Sequence, residues 1–355
     1  MRRVTAAAMV GAALLLAGCS SSASSTASSA SSASSSGSAS GDAPVTVSLG
    51  FLTNVTHASA LVGLKEGFFT KALGSAGTLK ATAFSTGTEE TTALLAGQLD
   101  AAYVGPNPAI NAWQKSGGTA IKIVSGAATG GASVVVTKGI TSAGQLRGKT
   151  LATPSLGNTQ DVALRYWLKQ HGLATSATGG GDAFVKPTTP NSAAVLEFKS
   201  GQIAGGSEPA PYDVEMVSDG GTVLVSEPGV TTLLLVTQSF LTAHPAIVAD
   251  LVKAQVQAND FIKSNPAAAQ ADANAELAAY TGKGLKPGVV AASFKEITFT
   301  NDPDAASLTS DATQAVSLGL LKPVNLGGIF DLGPLNQALA EKGEGEVGGE
   351  SQVSS

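Results

Sequence analysis

A turn crowded with small polar residues precedes one amphipathic helix of the chain, in TPSLGNTQDVALRYWLKQHG, which runs from Thr153 to Gly172. Asn158 or Thr159 can cap this helix, because both residue types accept hydrogen bonds from first-turn amides. The other first-turn amides carry partial positive charge and can bind an anion without a cationic side chain. A simple cap explains one Asn or Thr but not the density of polar residues. The pattern therefore favours ligand binding at Gly157, Asn158, Thr159 and Gln160.

Signatures of catalysis are missing from the sequence. The segment AGQLRGKT (143–150) resembles a phosphate-binding loop, but Ala143 replaces its first glycine, and the segment precedes a strand instead of following one. Neither the Gly-x-Ser-x-Gly turn of hydrolases nor the His-Glu-x-x-His motif of zinc proteases occurs. The chain has one Cys, so it has no internal disulfide and no Cys-based metal site. We therefore expect no catalytic residue, no cofactor and no bound metal.

The loop after the first predicted strand supplies a second group of candidates, in FLTNVTH (51–57). Ligands of open α/β sheets bind at the carboxyl ends of the strands, so we expect Thr53 and His57 to contact a ligand. The alternative is that Asn54 or Thr56 caps the following helix and that the loop has no further role.

Strands and helices alternate along the folded region, which begins near Val45. VTVSLGF (45–51) alternates apolar and polar residues as a strand does, and HASALVGLKEGFF (57–69) predicts a helix. From Thr242 onward helical patterns dominate, beginning with a long amphipathic helix at 244–266. The alternation predicts an α/β fold with mixed, mainly parallel sheets and helices on both faces.

Two segments of the chain resemble each other, LLAGQLDAAYVGPNP (94–108) and FKSGQIAGGSEPAP (198–211). In each, a helix ends at Gly-Gln, a short strand of small residues follows, and a proline-rich loop closes the unit. This shared order predicts two similarly built lobes. The roughly 300 residues that follow the N-terminal region also favour two lobes over one.

The N-terminus has the features of a lipoprotein signal. Arg2 and Arg3 precede an apolar run from Val4 to Ala17, which is short for a bilayer span and leads to Leu-Ala-Gly-Cys at Cys19. The pattern resembles the bacterial signal that is cut before a lipid-modified Cys; the alternative is an ordinary secretory signal. Ser20 to Gly41 contains only Ser, Ala, Thr and Gly, which predicts a flexible tether. We expect an extracytoplasmic protein, lipid-anchored to the cell membrane at the cell surface or in the periplasm.

The charge balance argues against one class of partner. The 26 acidic residues outnumber the 21 basic ones, two of which lie in the signal, and Lys and Arg form no cluster. A negative surface of this kind argues against nucleic acid as a partner.

Several motifs together resemble one family. Four segments are similar to segments of ABC-transporter substrate-binding proteins of the nitrate/sulfonate/taurine class. They are KEGFF, ALLAGQLDAAYVGPNP, LRGKTLATPSLGNTQDVALRYWLKQHGL and SEPAPYD. The resemblance covers residues 45–340, nearly the whole folded chain. It implies a periplasmic-binding-protein clamshell of type II, in which two lobes close on a small polar solute. It also implies a monomer that delivers the solute to an ABC permease with a cytoplasmic ATPase and breaks no bond.

The expected division of the chain follows from these features. We expect a signal peptide at 1–18, the tether at 19–44, a discontinuous first lobe at 45–134 and 232–342, the second lobe at 135–231, and a disordered tail at 343–355.

The family's ligand-contacting positions map onto this sequence residue by residue. Beyond the helix start at 157–160, they correspond to Thr86, Gly105, Pro106, Asn107, Ser125, Gly126 and Glu208. The family commonly has Trp beside the Glu-Pro loop, whereas Ser207 precedes Glu208 here and Tyr212 follows, so the size of the ligand stays open. A carboxylate at Glu208 would suit the amine of a zwitterion such as taurine, while the helix start binds the sulfonate. The alternative is that Glu208 points away and pairs with a surface Lys.

Two other functions remain open at this stage. Thiamine-pyrimidine synthases resemble these receptors, but they use a Cys-rich motif and a cofactor Lys, and the only Cys here is the predicted lipid site, Cys19. A ligand-sensing lipoprotein that is not coupled to transport would share every feature above. The solute also stays open among taurine, an alkanesulfonate, nitrate and a pyrimidine precursor.

Overall fold

The structure of the protein, a computed structural model, describes residues 44–349, which form two β-sheets with flanking helices. The predicted signal, Cys19 and most of the tether lie outside the described residues. The strands are β1 (Val45–Leu52), β2 (Gly77–Phe84), β3 (Ala101–Val104), β4 (Ile121–Gly130), β5 (Ala132–Thr137), β6 (Thr150–Thr153), β7 (Phe184–Pro187), β8 (Gly205–Pro209), β9 (Gly221–Ser226), β10 (Val230–Thr237) and β11 (Ile297–Phe299).

Helices connect and cover the strands, and short 3-10 helices lie at Val55–His57 and Ala143–Leu146. The α-helices are α1 (Ala58–Lys65), α2 (Phe68–Leu73), α3 (Gly87–Leu95), α4 (Pro106–Lys115), α5 (Thr159–Gln170), α6 (Asn191–Lys199), α7 (Tyr212–Ser218), α8 (Gln238–Ala243), α9 (Pro245–Ser264), α10 (Pro266–Thr281), α11 (Pro287–Glu296), α12 (Ala305–Ser317) and α13 (Gly333–Glu341).

Each sheet combines parallel and antiparallel pairs. The six-stranded sheet has the order β11-β4-β10-β3-β1-β2, and the five-stranded sheet has the order β7-β6-β8-β5-β9. β1 is parallel to β2 and β3, and β6 is parallel to β7 and β8. The strands beside the two connections between the sheets pair in antiparallel fashion. β10 pairs with β3 and β4, and β5 pairs with β8 and β9. We call the six-stranded sheet with its helices lobe 1, and β5 to β9 with α5, α6 and α7 lobe 2.

The chain passes from lobe 1 to lobe 2 at Gly131, between β4 and β5, and returns through 227–229, between β9 and β10. The sequence placed these crossings a few residues later, near Val135 and Thr231, because a single residue separates β4 from β5 and the residue pattern shows no break there. Gly131 has a φ of +72°, and a Cβ atom there would lie 2.4 Å from Ile297 Cγ1. The first crossing therefore requires glycine.

The repeated Gly-Gln segments have the same local structure in both lobes. Gly97 follows α3 with a φ of +73°, and Gly201 follows α6 with a φ of +74°, so both end their helix in the left-handed conformation. Each is followed by a buried strand, β3 or β8, and then by a helix, α4 or α7. The two lobes thus position a strand end and a helix start in the same way.

The helix predicted at 57–69 is interrupted in the structure. α1 ends at Lys65, and Gly67, with a φ of +70°, reverses the chain before α2 begins at Phe68. The break lets Phe69 fold back onto α1, where a Cβ atom at Gly63 would lie only 2.4 Å from its ring. The sequence reads as one helix because both halves contain apolar residues and no proline marks the break.

Lobe 2 has apolar clusters on both faces of its sheet. Val134 and Val136 of β5 pack with Leu164 and Leu168 of α5. Val135, which points to the opposite face as strand geometry requires, packs against α6 and α7. The prediction of helices on both faces is confirmed here.

The start of the predicted disordered tail is ordered within the described residues. The Val347 N–H donates to Asn336 Oδ1 at 2.8 Å, and Asn336 Nδ2 donates to the Val347 carbonyl at 3.2 Å. A Cβ atom at Gly349 would lie 2.8 Å from Leu332 Cδ1, so the chain also contacts the core there. The composition suggested disorder, but the paired amide of Asn336 holds the segment on lobe 1.

Within residues 44–349, none of the helices has both the length and the apolar character needed to cross a bilayer.

Candidate ligand-binding cleft

The two lobes meet along a cleft with two adjoining compartments. The smaller one, here called the polar compartment, has a volume of about 20 Å³, which is room for about one water. Its lining residues are Leu52, Asn54, Thr56, His57, Gly87, Gly105, Pro108, Asn158, Thr159, Gln160, Pro209 and Thr231. The structure thus brings together His57, Gly105 and the helix start at 158–160, which the sequence singled out separately.

Three helices begin at the polar compartment. α3 begins at Gly87, α4 follows its N-cap residue Gly105, and α5 follows its N-cap residue Asn158. Helix N-termini carry partial positive charge, and lobe 1 supplies two of these while lobe 2 supplies the third. The lining contains no Lys, Arg, Asp or Glu. The electrostatics therefore favour an anionic group held by neutral donors.

The first turn of α5 leaves two backbone donors available. The Asn158 side chain accepts a hydrogen bond from the Asp161 N–H at 2.9 Å, which caps the helix as predicted. The N–H groups of Thr159 and Gln160 have no acceptor among residues 44–349. Both residues line the polar compartment, so these N–H groups belong to its wall.

A buried ion pair supports the start of α5. Arg165 Nε donates to Asp161 Oδ2 at 2.8 Å, and both side chains are almost fully buried. The same carboxylate accepts from the Gly157 N–H at 2.9 Å and from Thr153 Oγ1 at 2.9 Å. Arg165 also donates to the carbonyl of Ser176 at 2.8 Å. Sequence reasoning gave these residues no role, although their i,i+4 spacing was the available signal.

His57 acts as a neutral donor. The Leu52 N–H donates to its Nδ1 at 3.3 Å, which places the ring proton on Nε2. Burial lowers the pKa of His57 to about 3. Nε2 forms no hydrogen bond with the part of the chain that the structure describes, so its N–H remains available at the compartment.

Five other predicted residues lie beside the compartment without lining it: Thr53, Thr86, Pro106, Asn107 and Gly157. Thr86 is the N-cap of α3 and accepts from the Glu89 N–H at 3.3 Å. Pro106 and Asn107 begin α4, and the Asn107 side chain lies toward α12. The Thr53 carbonyl accepts from the Tyr212 hydroxyl at 3.3 Å, a contact between the lobes.

Ser125 and Gly126 lie in the interior of lobe 1, away from the compartment. A Cβ atom at Gly126 would lie 2.2 Å from the carbonyl oxygen of Asp302, so the chain after β11 covers this position. Ser125 Oγ donates to the Gly126 carbonyl at 2.7 Å. The covering segment is distant in sequence, and the residues around Ser125 give no sign of it.

Glu208 is fully buried in β8 but lines neither compartment. Within residues 44–349, its carboxyl oxygens have no hydrogen-bond partner and no ion pair with Lys. Burial raises the pKa of Glu208 well above its usual range, and the nearby Asp213 and Glu227 raise it further. Both effects favour the protonated form of this carboxyl group.

A larger compartment adjoins the polar one, and Thr159 and Thr231 line both. Its volume is about 400 Å³. The wall comes chiefly from α5, α12 and residues 225–231, which run from the end of β9 into β10. It consists of Val134, Thr159, Ala163, Tyr166, Trp167, Gln170, Val225, Ser226, Glu227, Pro228, Gly229, Val230, Thr231, Ser307, Ser310, Asp311 and Gln314. Sequence reasoning missed this compartment, because its parts come from three distant segments without a shared motif.

Two acidic residues, Glu227 and Asp311, are among those that line the larger compartment. Glu227 accepts a hydrogen bond from Ser207 Oγ, and burial raises its pKa to about 7. Burial also raises the pKa of Asp311, with further contributions from Glu227 and Asp304. Asp311 Oδ2 is buried and has no partner among residues 44–349.

Polar contacts bridge the lobes around the cleft. The hydroxyls of Thr88 and Ser155 lie 3.5 Å apart, and Asn111 Nδ2 donates to the Gly157 carbonyl at 3.5 Å. The lobes are therefore close together in this structure, which accounts for the small volume of the polar compartment.

Comparisons with known proteins agree with this architecture. The NMT1-like family model matches residues 40–279. The fold is similar to the alkanesulfonate-binding protein of Xanthomonas axonopodis pv. citri bound to MOPS, with a TM-score of 0.65 and 18% identity over 79% of this chain and 95% of that chain. It is also similar to the periplasmic nitrate-binding protein of Synechocystis PCC 6803, with a TM-score of 0.71 and 15% identity over 88% and 91%.

A third similar structure is the periplasmic aliphatic sulphonate-binding protein of Escherichia coli, with a TM-score of 0.62 and 18% identity over 79% of this chain and 94% of that chain. No curated protein is significantly similar to the chain in sequence. The predicted two-lobed α/β fold and the resemblance to the nitrate and sulfonate class are thus confirmed.

Proposed function

Because the chain belongs to the NMT1-like family, we propose that it is the solute-binding receptor of an ABC importer and captures a small organic anion, such as a sulfonate, between its lobes. One observation carries this proposal: the N-termini of three helices from both lobes converge on a compartment without a charged side chain. The solute-binding proteins of similar fold support it.

Both lobes contribute donors to the bound anion. Lobe 2 supplies the free N–H groups of Thr159 and Gln160, and lobe 1 supplies the Nε2–H of His57. A solute that contacts both lobes binds the shut state more tightly than the open state, and this difference drives closure. Since the polar compartment has room for only about one water in this structure, the solute-bound state holds the lobes further apart than they are here.

The remaining parts of the proposal concern where the receptor acts. The lipid at Cys19 and the tether keep a monomeric receptor outside the cytoplasm and near the membrane. There it passes the solute to the permease, which an ATPase on the cytoplasmic side drives. We expect the receptor to bind and release its solute without breaking a bond.

A thermal-shift panel tests the proposal. Nitrate, taurine, alkanesulfonates and pyrimidine precursors are each titrated against the mature protein. A true ligand at 100 times its Kd stabilises the folded state by about 2.7 kcal/mol. Stabilisation by a sulfonate supports the proposed class, whereas stabilisation by none of the anions refutes it. Sulfonate uptake that is lost on deletion of the gene and restored by the wild-type gene then separates a transport receptor from a sensor.

A further inference from the structure

The larger compartment differs in charge from the polar one. Glu227, between β9 and β10, and Asp311, on α12, bring two carboxyl groups to its wall. The wall contains no Lys, Arg or His. The polar compartment thus suits an anion, and the larger compartment beside it suits a cation.

The two carboxyl groups have few partners of their own. The carboxyl group of Glu227 is buried although the residue is partly exposed, and it accepts a hydrogen bond from Ser207 Oγ. Asp311 Oδ2 is buried without a partner in the described part of the chain. An ionised carboxylate in this setting is unstable unless a positive group accompanies it. A bound cation with N–H donors would supply both the charge and the hydrogen bonds.

The size and lining of the compartment indicate an organic cation. Its volume of about 400 Å³ exceeds the space that a bare ion needs. Tyr166 and Trp167 of α5 line it, and aromatic rings bind ammonium groups favourably. Among residues 44–349, no group of His, Cys, Asp and Glu side chains is arranged to hold a metal ion.

The two compartments share part of their wall, so they lie next to each other. Thr159, whose N–H is free, lines each of them, as does Thr231. We propose that the solute is a zwitterion, with its anionic group at the N-terminus of α5 and its ammonium group in the larger compartment between Glu227 and Asp311. This proposal rests on the proposed function and adds the second half of the solute. It assigns the amine to Glu227 and Asp311 instead of Glu208, which lines neither compartment.

Three probes of equal chain length test the assignment by calorimetry: 3-aminopropanesulfonate, propanesulfonate and propylammonium. Each is titrated into wild type, Glu227→Gln, Asp311→Asn, Glu208→Gln and the control Glu215→Gln. Glu215 lies on α7, has a raised pKa caused by burial, and lines neither compartment. We expect wild type to bind the amino-sulfonate at least about tenfold more tightly than propanesulfonate, as a charge-assisted hydrogen bond gives.

The preference should shrink in Glu227→Gln and Asp311→Asn and persist in Glu208→Gln and Glu215→Gln. The carboxamide variants match the protonated carboxyl groups in shape, and circular dichroism checks their folding. Equal affinity of wild type for both sulfonates overturns the assignment, as does a preference that only Glu208→Gln removes. If propanesulfonate still binds in these cases, the assignment of the amine is wrong but the proposed function is not contradicted.

Failure of the proposed function has a different signature. In that case neither sulfonate binds, and the propylammonium titration decides about the compartment by itself. Propylammonium binding that is weakened in Glu227→Gln and Asp311→Asn would support a cation site. No propylammonium binding, or binding equal in all variants, would overturn it.

Discussion

Replacing Glu227 with Gln should change how the stability of the protein depends on pH. Burial raises the pKa of Glu227 from 4.5 to about 7 in the folded protein. The folded state therefore holds this proton at pH values where the unfolded chain has released it. Folding is favoured at low pH, and this contribution is lost as the pH rises from the unfolded toward the folded pKa.

The size of the effect follows from the shift in pKa. One pKa unit corresponds to about 1.4 kcal/mol, so ionising Glu227 in the folded protein costs about 3 kcal/mol at pH values well above 7. Between about pH 5 and pH 8, this group alone should lower the free energy of unfolding by about 2 kcal/mol. Gln keeps an oxygen that accepts the hydrogen bond from Ser207 and cannot ionise. Glu227 also raises the pKa of the neighbouring Glu208 and Asp311, so removing its charge lowers those two pKa values and adds to the difference between variant and wild type in the same direction.

Urea unfolding of wild type and Glu227→Gln at these two pH values, followed by circular dichroism, measures the difference. We expect the variant to be the more stable protein at pH 8 and to differ far less from wild type at pH 5, where Glu227 is protonated. Glu346→Gln, at an exposed position, serves as the control and should follow wild type. An identical pH dependence of wild type and Glu227→Gln would refute the reasoning about burial.

Three further predictions concern the binding site, its support and the anchor. Thr159→Pro should weaken sulfonate binding by at least about tenfold, because the backbone N–H of residue 159 is lost. The fold should survive, because Pro fits the first helical position and Asn158 before it already has an extended backbone. Thr159→Ala is the control in calorimetry, and full affinity of the Pro variant would assign the motif to capping alone. Arg165→Met should destabilise the protein by about 3 kcal/mol in urea unfolding, because it leaves the Asp161 carboxylate buried without its partner, and a loss below about 1 kcal/mol would contradict this. Cys19→Ala should move the protein from the membrane fraction to the soluble fraction or the medium, and unchanged fractionation would argue against the lipid.

The predictable parts of the site are those set by local sequence. The helix start at 157–160 was located because its turn, cap and helix lie within a few residues of one another. The position of His57 followed from its place after the first strand, since strand ends meet at the cleft of this fold.

The parts that the sequence did not show depend on distant contacts. The family resemblance places Ser125 and Gly126 at a strand end in the cleft, but the chain after β11 covers them. Glu227 and Asp311 meet in space only because α12 packs beside α5 and the crossing between β9 and β10. No spacing in the sequence encodes that meeting, so the larger compartment was visible only in the structure.

The two neighbouring crossings at Gly131 and 227–229 make the protein suitable as a reporter of its own solute. Paired connections of this kind favour rotation of one lobe against the other about a single axis, so one distance follows the whole movement. The only cysteine of the sequence is the first residue of the tether, and a form that starts after it offers a thiol-free background for labelling. Dyes attached through new cysteines at Thr88 and Leu156, both exposed on opposite lips of the cleft, would convert solute concentration into an optical signal.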